Sequence, residues 1–269
     1  MLDVLLLAIG ASTPLLLAAE GELVVQRSGM INLSVEAMML AAAFGAAFGG
    51  IAGGVTAALA VALLFGLFVI VLDADQIVTG TAINLLVVGA TGVAYREMQS
   101  RATNAAMKVD FITPVAWIVV PILIAVLLWR TTLGLRLRAA GESPEAMRAA
   151  RWSPAKYRWI ALAIEAILVG LAGTHLALVL SNGFAENMSA GRGFIALSVV
   201  IFGRWTVRGS VAGTALFGIA AALQYALQAA NHGIAFHLLL ATPYVVTLLI
   251  LCGVTGRVRS PEALGKRGT

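Results

Sequence analysis

The sequence is dominated by apolar stretches that are long enough, or nearly long enough, to cross a membrane as helices. They occupy about residues 4–26, 33–50, 51–72, 76–95, 113–130, 157–180, 191–204, 209–230 and 234–254. A helix needs about 20 apolar residues to cross the hydrocarbon core, and no stretch alternates like a barrel strand. Because a helix satisfies every backbone group within one segment, we predict an all-α polytopic membrane protein with about nine (eight to ten) transmembrane helices.

The composition excludes a soluble globular domain. Apolar residues make up 60% of the 269 residues and charged residues only 12%, which is too little charge to cover a water-exposed surface. No linker interrupts the apolar stretches. Residues 1–254 are therefore predicted to form a single transmembrane domain, and residues 255–269 to form a short polar tail.

Two places depart from a simple succession of helices. The boundary between 33–50 and 51–72 is marked only by glycine pairs, and Gly45, Gly49 and Gly53 recur every four residues, which predicts one smooth packing stripe on a helix. The stretch 191–204 is short and follows a polar, glycine-rich bend. This pattern predicts a half-helix or re-entrant segment near 182–204, although an external hairpin would fit the bend equally well.

The basic residues predict an orientation in the membrane. When residues 131–156 are placed in the cytoplasm and the crossings alternate from there, only four basic residues fall outside: Arg96, Arg101, Lys108 and Arg192. The other fourteen of the 18 lie inside, as the positive-inside rule requires. The N-terminus is then predicted to be outside and the tail 255–269 in the cytoplasm. These arginines and lysines alternate with apolar stretches, which argues against a nucleic-acid-binding face.

The longest cytoplasmic loop contains a sequence suited to a short helix. Ser143 and Pro144 are favourable at a helix start, Glu145 suits the positive end of the helix dipole, and Arg148 and Arg151 suit its negative end. Such a basic helix between two crossings could dock into a cleft of another protein. The alternative is a solvated loop with a helical turn.

Several polar side chains lie inside apolar stretches or beside them. Within the stretches these are Glu36, Asn84, Glu165, His175 and Gln224, and Asn187 lies in the bend before 191–204. Each buried group must face a cavity or a partner, because lipid offers it none. We predict that Glu36, Asn84, His175 and Asn187 line a substrate pathway, with hydrogen bonds between helices as the alternative.

No catalytic signature is present in the sequence. The GxxxxGK[ST] phosphate loop, GxSxG and HExxH are absent, and the three histidines lack metal-ligand spacing. We therefore expect no enzyme activity, no catalytic or metal-binding residues and no cofactor in this chain.

Read together, several segments resemble the permease subunits of ATP-binding-cassette importers of the ribose and branched-chain amino-acid group, in particular their nucleoside-type branch. The resemblance runs from about residue 12 to 252 and is carried by residues 13–23, 28–36, 75–86, 134–145, 186–197 and 201–205. The stretch Glu186-Asn-Met-Ser-Ala-Gly-Arg-Gly-Phe-Ile-Ala-Leu197 is the most specific. One departure is Arg151-Trp152, where the family usually has a Gly-Ile pair.

The resemblance implies a mechanism and partners. It makes residues 133–152 a coupling helix that docks on a separate ATPase subunit, which would hold the ATP and Mg²⁺. The residues expected to contribute are Gly141, Glu142, Ser143, Pro144, Glu145, Arg148 and Arg151. Arg148 and Arg151 would meet acidic or carbonyl groups of the ATPase, or else lipid phosphates. It also implies a second permease subunit, identical or paralogous, and a periplasmic or lipid-anchored substrate-binding protein, all at a bacterial inner membrane.

The expected function is import of a small polar solute, with a nucleoside or nucleobase as the first candidate from the resemblance. A simple sugar or a riboflavin-like heterocycle is the alternative within the same class. From another class, an ion-coupled secondary transporter would need paired carboxylate or amide ion sites near the membrane midplane. A membrane enzyme would need a cluster of catalytic residues, which the sequence lacks.

Overall fold

A computed structural model describes the backbone of residues 2–98, 111–229 and 260–266, and the side chains from residue 8 to 98, 111 to 222 and 260 to 266. This part of the chain is helical and contains no strand. The helices are α1 (Leu2–Arg27), α2 (Val35–Gly66), α3 (Gln76–Met98), α4 (Ile112–Pro114), α5 (Val120–Arg130), α6 (Thr132–Glu142), α7 (Pro144–Ala149), α8 (Pro154–His175), α9 (Arg192–Phe202) and α10 (Val207–Ala229). Wider π-helical turns extend α2 over Leu67–Val71 and α8 over Leu176–Leu180, and Val115–Val119 joins α4 to α5.

Five helical stretches are long and apolar enough to cross a membrane: Ala8–Arg27, Val35–Val71, Gln76–Met98, Ile112–Arg130 and Pro154–Leu180. The all-helical, polytopic character predicted from the sequence is thereby confirmed. The total of about nine crossings stays a prediction. The assessed parts of α9 and α10, Arg192–Phe202 and Val207–Ala222, are shorter apolar helices, and the last apolar stretch, 234–254, lies outside the described residues.

Helix α2 consists of two arms that fold back against each other. Its regular backbone breaks at Gly50, where φ is 60° and ψ is −149°. A β-carbon built on Gly45 would lie 2.3 Å from the carbonyl oxygen of Gly53, although eight positions of straight helix span about 12 Å. The change of direction falls at the predicted boundary between the second and third apolar stretches. The expected single stripe is wrong, because Gly45 and Gly53 face each other from different arms.

Helix α8 packs against both arms of α2. Gly170 approaches Val55 on the second arm, and Gly173 approaches the carbonyl oxygen of Met39 on the first, in each case with no room for a β-carbon. Helix α1 packs on α8 as well, where Gly21 lies against the backbone of Glu165. Small residues let these backbones approach closely, which compensates for the lack of a hydrophobic driving force between helices in lipid.

Several loops predicted to share one membrane face do lie together at one end of the bundle. The guanidinium of Arg27 donates to the carbonyl oxygen of Trp205, with its Nε at 2.9 Å, and lies 3.9 Å from the Glu142 carboxylate. The described part of the tail, residues 260–266, reaches the same place, where the Ala263 N–H donates to the carbonyl oxygen of Gly141 over 2.8 Å. At the opposite end, Arg96 of α3 pairs with Glu186 at 3.0 Å.

Candidate functional site

The segment between α1 and α2 is non-helical, and side chains from neighbouring helices satisfy its backbone. Gln76 accepts a 2.7 Å hydrogen bond from the Ile31 N–H, and Glu22 accepts one of 3.3 Å from the Asn32 N–H. Asn84 donates to the Leu33 carbonyl oxygen and accepts from the Ala37 N–H, both at 2.9 Å. Irregular backbone survives among membrane-spanning helices only when its polar groups are bonded in this way.

Glu36 connects this segment to the start of α9. Its two carboxylate oxygens accept hydrogen bonds from the backbone N–H groups of Gly191, over 2.8 Å, and Gly193, over 2.6 Å. A helix start presents unpaired N–H groups and a positive dipole end, both of which favour a carboxylate. A β-carbon on Gly193 would lie 2.6 Å from the Cα of Glu36, so only glycine allows this contact.

The loop before α9 is mostly exposed, and its end reaches a buried residue of α2. Its Glu186 pairs with Arg96, whereas Gly193 lies at Glu36, beside the residue that Asn84 binds. The twelve positions between Asn84 and Arg96 correspond to about 18 Å along α3. Helix α9 has 11 residues, or about 16 Å, which is half the length of a crossing helix. We call residues 28–36 and 181–193 together the re-entrant junction, after the re-entrant segment predicted near 182–204, which stays a prediction.

A chain of buried polar side chains runs from the re-entrant junction to Trp205. Asn32 donates to Glu165 over 2.7 Å, and Glu22, which accepts from the Asn32 backbone, also accepts from Gln26 over 2.8 Å. Gln26 in turn accepts from the indole N–H of Trp205 over 2.6 Å. These bonds tie α1, α8 and the residues after α9 to one short segment.

The four residues predicted to line a pathway do not form one cluster. Glu36 and Asn84 are neighbours in the re-entrant junction, both less than 10% exposed. His175 is fully buried elsewhere, with its Nε2 2.9 Å from the hydroxyl of Thr113. Asn187 is exposed on the loop before α9, in a left-handed backbone conformation with φ 55°. Contact of any of them with substrate stays a prediction, and the side chain of Gln224 lies outside the described residues.

Sequence reasoning missed most of the hydrogen-bonded residues around the junction: Glu22, Gln26, Asn32, Gln76 and Trp205. Two signals could have indicated some of them. Glu22 and Gln26 are four residues apart, so they share one face of the mainly apolar helix α1. Asn32 and Ser34 have the spacing of a turn in which an asparagine side chain binds the backbone two residues on, and Asn32 does accept from the Ser34 N–H over 3.0 Å.

The predicted coupling element is two helices instead of one over 133–152. Helix α6 is capped by the Thr131 hydroxyl, which accepts from the Gly134 N–H over 3.0 Å. It ends at Glu142 because the Ser143 backbone is non-helical (φ −152°, ψ 80°), and the residue before a proline disfavours the helical conformation. Ser143 stands at the start of α7 as predicted, but its hydroxyl makes no capping bond.

Helix α7 is shorter than predicted and has two distinct faces. It runs only from Pro144 to Ala149. Arg151 lies beyond it with φ 62°, a left-handed conformation that glycine adopts without strain, which accounts for the glycine that the resembling family usually has there. Pro144 and Met147 are buried, whereas the opposite face is exposed and consists of Glu145, Ala146, Arg148 and Ala149.

Gly141 and Glu142 anchor this pair of helices to the rest of the bundle. A β-carbon on Gly141 would lie 2.3 Å from the carbonyl oxygen of Arg27, so α6 and the end of α1 are in direct backbone contact. Arg27 pairs with Glu142, and the tail binds Gly29 and Gly141 through the N–H groups of Gly265 and Ala263. These contacts with α1 and the tail fix the residues just before α7, and the exposed face of α7 is therefore held in position.

Comparison with known proteins identifies relatives along almost the whole chain. The guanosine ABC transporter permease protein NupQ of Bacillus subtilis is 29% identical, and the nucleoside ABC transporter permease protein NupC of Lactococcus lactis is 30% identical; each alignment covers 94% of this chain and 92% of the relative. The putative glucose ABC transporter permease protein TsgC13 of Haloferax volcanii is 30% identical over 81% of this chain and 75% of its own. No solved structure matches.

The family profile described as branched-chain amino acid transport system / permease component matches residues 4–254. This match covers α1 through α10 and the re-entrant junction, and it extends over the predicted transmembrane domain. The chain therefore belongs to this family of permease components.

Proposed function

We propose that this chain is the permease subunit of an ATP-binding-cassette importer and that its substrate is a nucleoside or nucleobase. Support for the substrate comes from two relatives, a guanosine and a nucleoside permease, that align over 94% of the chain. A simple sugar is the second candidate, because a putative glucose permease is equally identical over a shorter alignment. ATP hydrolysis is assigned to a separate subunit.

The exposed face of α7 is the proposed docking site for that ATPase, and it is the observation on which the proposal depends most. Ala146 and Ala149 provide small contacts, and Glu145 provides a charge at the helix start. So short a helix is marginal alone. Gly141 and Glu142, which precede α7, both contact Arg27. These contacts hold α7 in place, so that a movement of the ATPase can be transmitted to the helix bundle.

The re-entrant junction is the proposed element of the substrate pathway that responds to this force. Its two segments begin helices α2 and α9, and Glu36 is the bond between them. The polar chain through Gln26 and Trp205 reaches the same end of the bundle as α6. A shift of α7 would therefore reach Glu36 and Asn84 through bonded groups, and His175 and Asn187 are the further pathway candidates.

The partners and the orientation complete the proposal. A second permease subunit, identical or paralogous, would supply the other half of the channel, and a periplasmic or lipid-anchored protein would deliver the substrate. The protein would be multi-pass in a bacterial inner membrane, with the N-terminus outside and residues 131–156 and 255–269 in the cytoplasm. Grouping of Arg27, Glu142, Trp205 and residues 260–266 at one end supports this arrangement.

Orientation is tested by thiol labelling. The chain has one cysteine, so Cys252→Ala gives a background on which Ser143→Cys introduces a single exposed thiol. We expect an impermeant maleimide to label this thiol in inside-out vesicles and not in intact cells. Labelling from outside intact cells would refute the orientation.

Function is tested by uptake of radiolabelled guanosine and glucose into cells that express the complete importer. We expect guanosine uptake to require ATP and to persist when a protonophore collapses the proton gradient. If glucose is taken up faster than guanosine, the proposed substrate is a sugar and not a nucleoside. Uptake that stops with the protonophore while ATP is maintained would instead support an ion-coupled transporter.

A further inference from the structure

A basic pocket lies where α2, α7 and α8 meet. It has a volume of about 510 Å³, and its walls include Val69 and Ile70 from the end of α2, Arg148 from α7, Arg151 and Trp152 just after α7, and Arg158 from α8. This volume is within the range of about 300–1,000 Å³ that small-molecule sites occupy. The two sides of the pocket differ in chemistry, because one is apolar and the other carries the arginines.

The pocket carries an excess of positive charge. Three arginines, Arg148, Arg151 and Arg158, line it together with one carboxylate, that of Asp73. Three positive charges less one negative charge leave a net charge of +2, whichever arginine Asp73 compensates. Arg158 is only 9% exposed, and its Nε lies 3.5 Å from the carbonyl oxygen of Ser28, whereas Arg148 and Arg151 are exposed.

Further groups add to the positive field. Ser153, Pro154 and Ala155, at the start of α8, are part of the lining, and a helix start carries the positive end of its dipole. The guanidinium of Arg136 lies 3.6 Å from the ring centroid of Trp152, which places another cation beside the pocket wall. An anion with several oxygen acceptors suits a site with this excess of positive charge, and arginine forks match phosphate oxygens in particular.

The position of the pocket indicates the source of the anion. Beside Val69 and Ile70, α2 exposes Phe68, Val71 and Leu72, with Val71 and Leu72 each about 60% exposed. Such an apolar surface at the end of a membrane-spanning stretch is suited to contact with lipid tails. Trp152 is 41% exposed, as interfacial tryptophans commonly are at headgroup level. The pocket is therefore bounded by hydrocarbon on one side and by arginines on the other.

We propose that this pocket binds the phosphate of an anionic phospholipid headgroup, such as phosphatidylglycerol. The phosphate oxygens accept from Arg148, Arg151 and Arg158, while the acyl chains lie along the exposed apolar surface of α2. A bound lipid bridges the end of α2, the end of α7 and the start of α8. The position of α7 relative to α2 and α8 thereby depends on the lipid composition of the membrane.

This arrangement assigns Arg148 and Arg151 to lipid, leaving Glu145, Ala146 and Ala149 for the ATPase. Basic pockets between transmembrane helices on the cytoplasmic side are a recognised form of headgroup site. A soluble subunit could supply acidic groups to the two exposed arginines, but the apolar wall formed by Val69 and Ile70 suits acyl chains better. The proposed lipid site does not depend on which substrate is transported.

The experiment compares a double variant with a charge-matched control. Arg148→Gln with Arg151→Gln removes two positive charges from the pocket, and Arg130→Gln with Arg208→Gln removes two from exposed positions that do not line the pocket. The full chain is purified in mild detergent, and binding of phosphatidylglycerol and phosphatidylcholine is measured by native mass spectrometry. Size-exclusion profiles verify that each variant is folded.

We expect phosphatidylglycerol to bind the wild type and the control alike, and the double variant about 30-fold more weakly, given the usual contribution of a basic side chain near an anionic lipid surface. Arg148→Lys with Arg151→Lys, which keeps the charges, should recover most of the binding. Equal binding by the double variant and the control would overturn the proposal.

Two further outcomes would also overturn it. Displacement of bound lipid by inorganic phosphate at equal concentration would show a free-anion site without need for acyl chains. Loss of ATPase association in the double variant with unchanged phosphatidylglycerol binding would show that the arginines contact the ATPase.

Discussion

The α6–α7 segment and the re-entrant junction are both polar interruptions of an apolar chain, but different contacts hold them. Residues close in sequence shape α6–α7: Thr131 caps α6, and Pro144 ends one helix and begins the next. The re-entrant junction depends on bonds between residues far apart, such as Glu36 with Gly193. One region presents an exposed face on a locally defined helix, and the other is buried and fixed by its partners.

The difference predicts how each region responds to substitution. In the junction, a lost side chain leaves buried backbone groups without a partner, so stability falls. On the exposed face of α7, a substitution leaves the fold intact and alters only what docks there. Three of the four experiments below test this contrast, and the one at Gly45 tests the fold of α2; they follow in order of their expected effect on stability.

Glu36→Ala should have the largest effect. It removes the acceptor of two buried N–H groups, those of Gly191 and Gly193, and each unsatisfied group costs about 1–3 kcal/mol. We expect a loss of about 2–6 kcal/mol, measured by unfolding in detergent. Glu145→Ala on α7 is the control, with an expected loss under about 1 kcal/mol. Equal losses would show that the junction is not the more tightly determined region.

Gly45→Ala should destabilise the fold by about 1–3 kcal/mol, the usual cost of overpacking. Its β-carbon would lie 2.3 Å from the carbonyl oxygen of Gly53, which belongs to the backbone and cannot move aside. Gly49→Ala is the matched control, because nothing lies within 4 Å of its β-carbon. Thermal unfolding of both variants measures the difference, and similar melting temperatures would refute the folded-back arrangement of α2.

Ala146→Phe with Ala149→Phe should change stability by no more than about 0.5 kcal/mol, because both residues are exposed and surface substitutions rarely do more. We expect transport-coupled ATPase activity in the reconstituted complex to be lost, since the bulky rings prevent docking. Ala52→Phe, on an exposed part of α2, is the control for bulk alone. Normal coupling in the double variant would remove α7 as the docking helix.

The Glu186–Arg96 pair should have the smallest effect, and only at low pH. The hydrogen bond from Arg96 holds the pKa of Glu186 below its usual value of 4.5. A lowered pKa in the folded state means that the pair contributes fully above that value and loses its contribution as the pH falls through the folded pKa. We expect the melting temperatures of wild type and Glu186→Gln to converge below pH 4.5. A constant difference down to lower pH would contradict the assignment.

Much of the helical plan could be predicted from the sequence, because the signals are local. Runs of about 20 apolar residues predict crossing helices, and Gly49-Gly50 correctly suggested a break in α2. The start of α7 was recognised from Ser143-Pro144, which fixes the local backbone. Its end at Ala149 was not, because Arg151 looks compatible with a helix until its left-handed conformation is seen.

The roles of the buried polar residues could not be predicted in the same way. Glu36 was selected because a carboxylate in an apolar stretch is costly without a partner, but its partner lies 157 positions away. Asn32, Gln76 and Trp205 were not selected, since nothing near them in sequence indicates that they bond to residues of other helices. The polarity of a residue showed that a partner was needed without showing which one.

The sequence by itself determined that the chain is helical and resides in a membrane, because hydrophobic length and charge distribution are properties of contiguous segments. Tertiary structure decided that Gly45 faces Gly53, that Glu36 holds the start of α9, and that Arg148, Arg151 and Arg158 line one pocket. These outcomes depend on which helix faces pack together. In lipid, where apolar faces are not driven against each other by water, close contacts of small residues and a few buried hydrogen bonds make that choice.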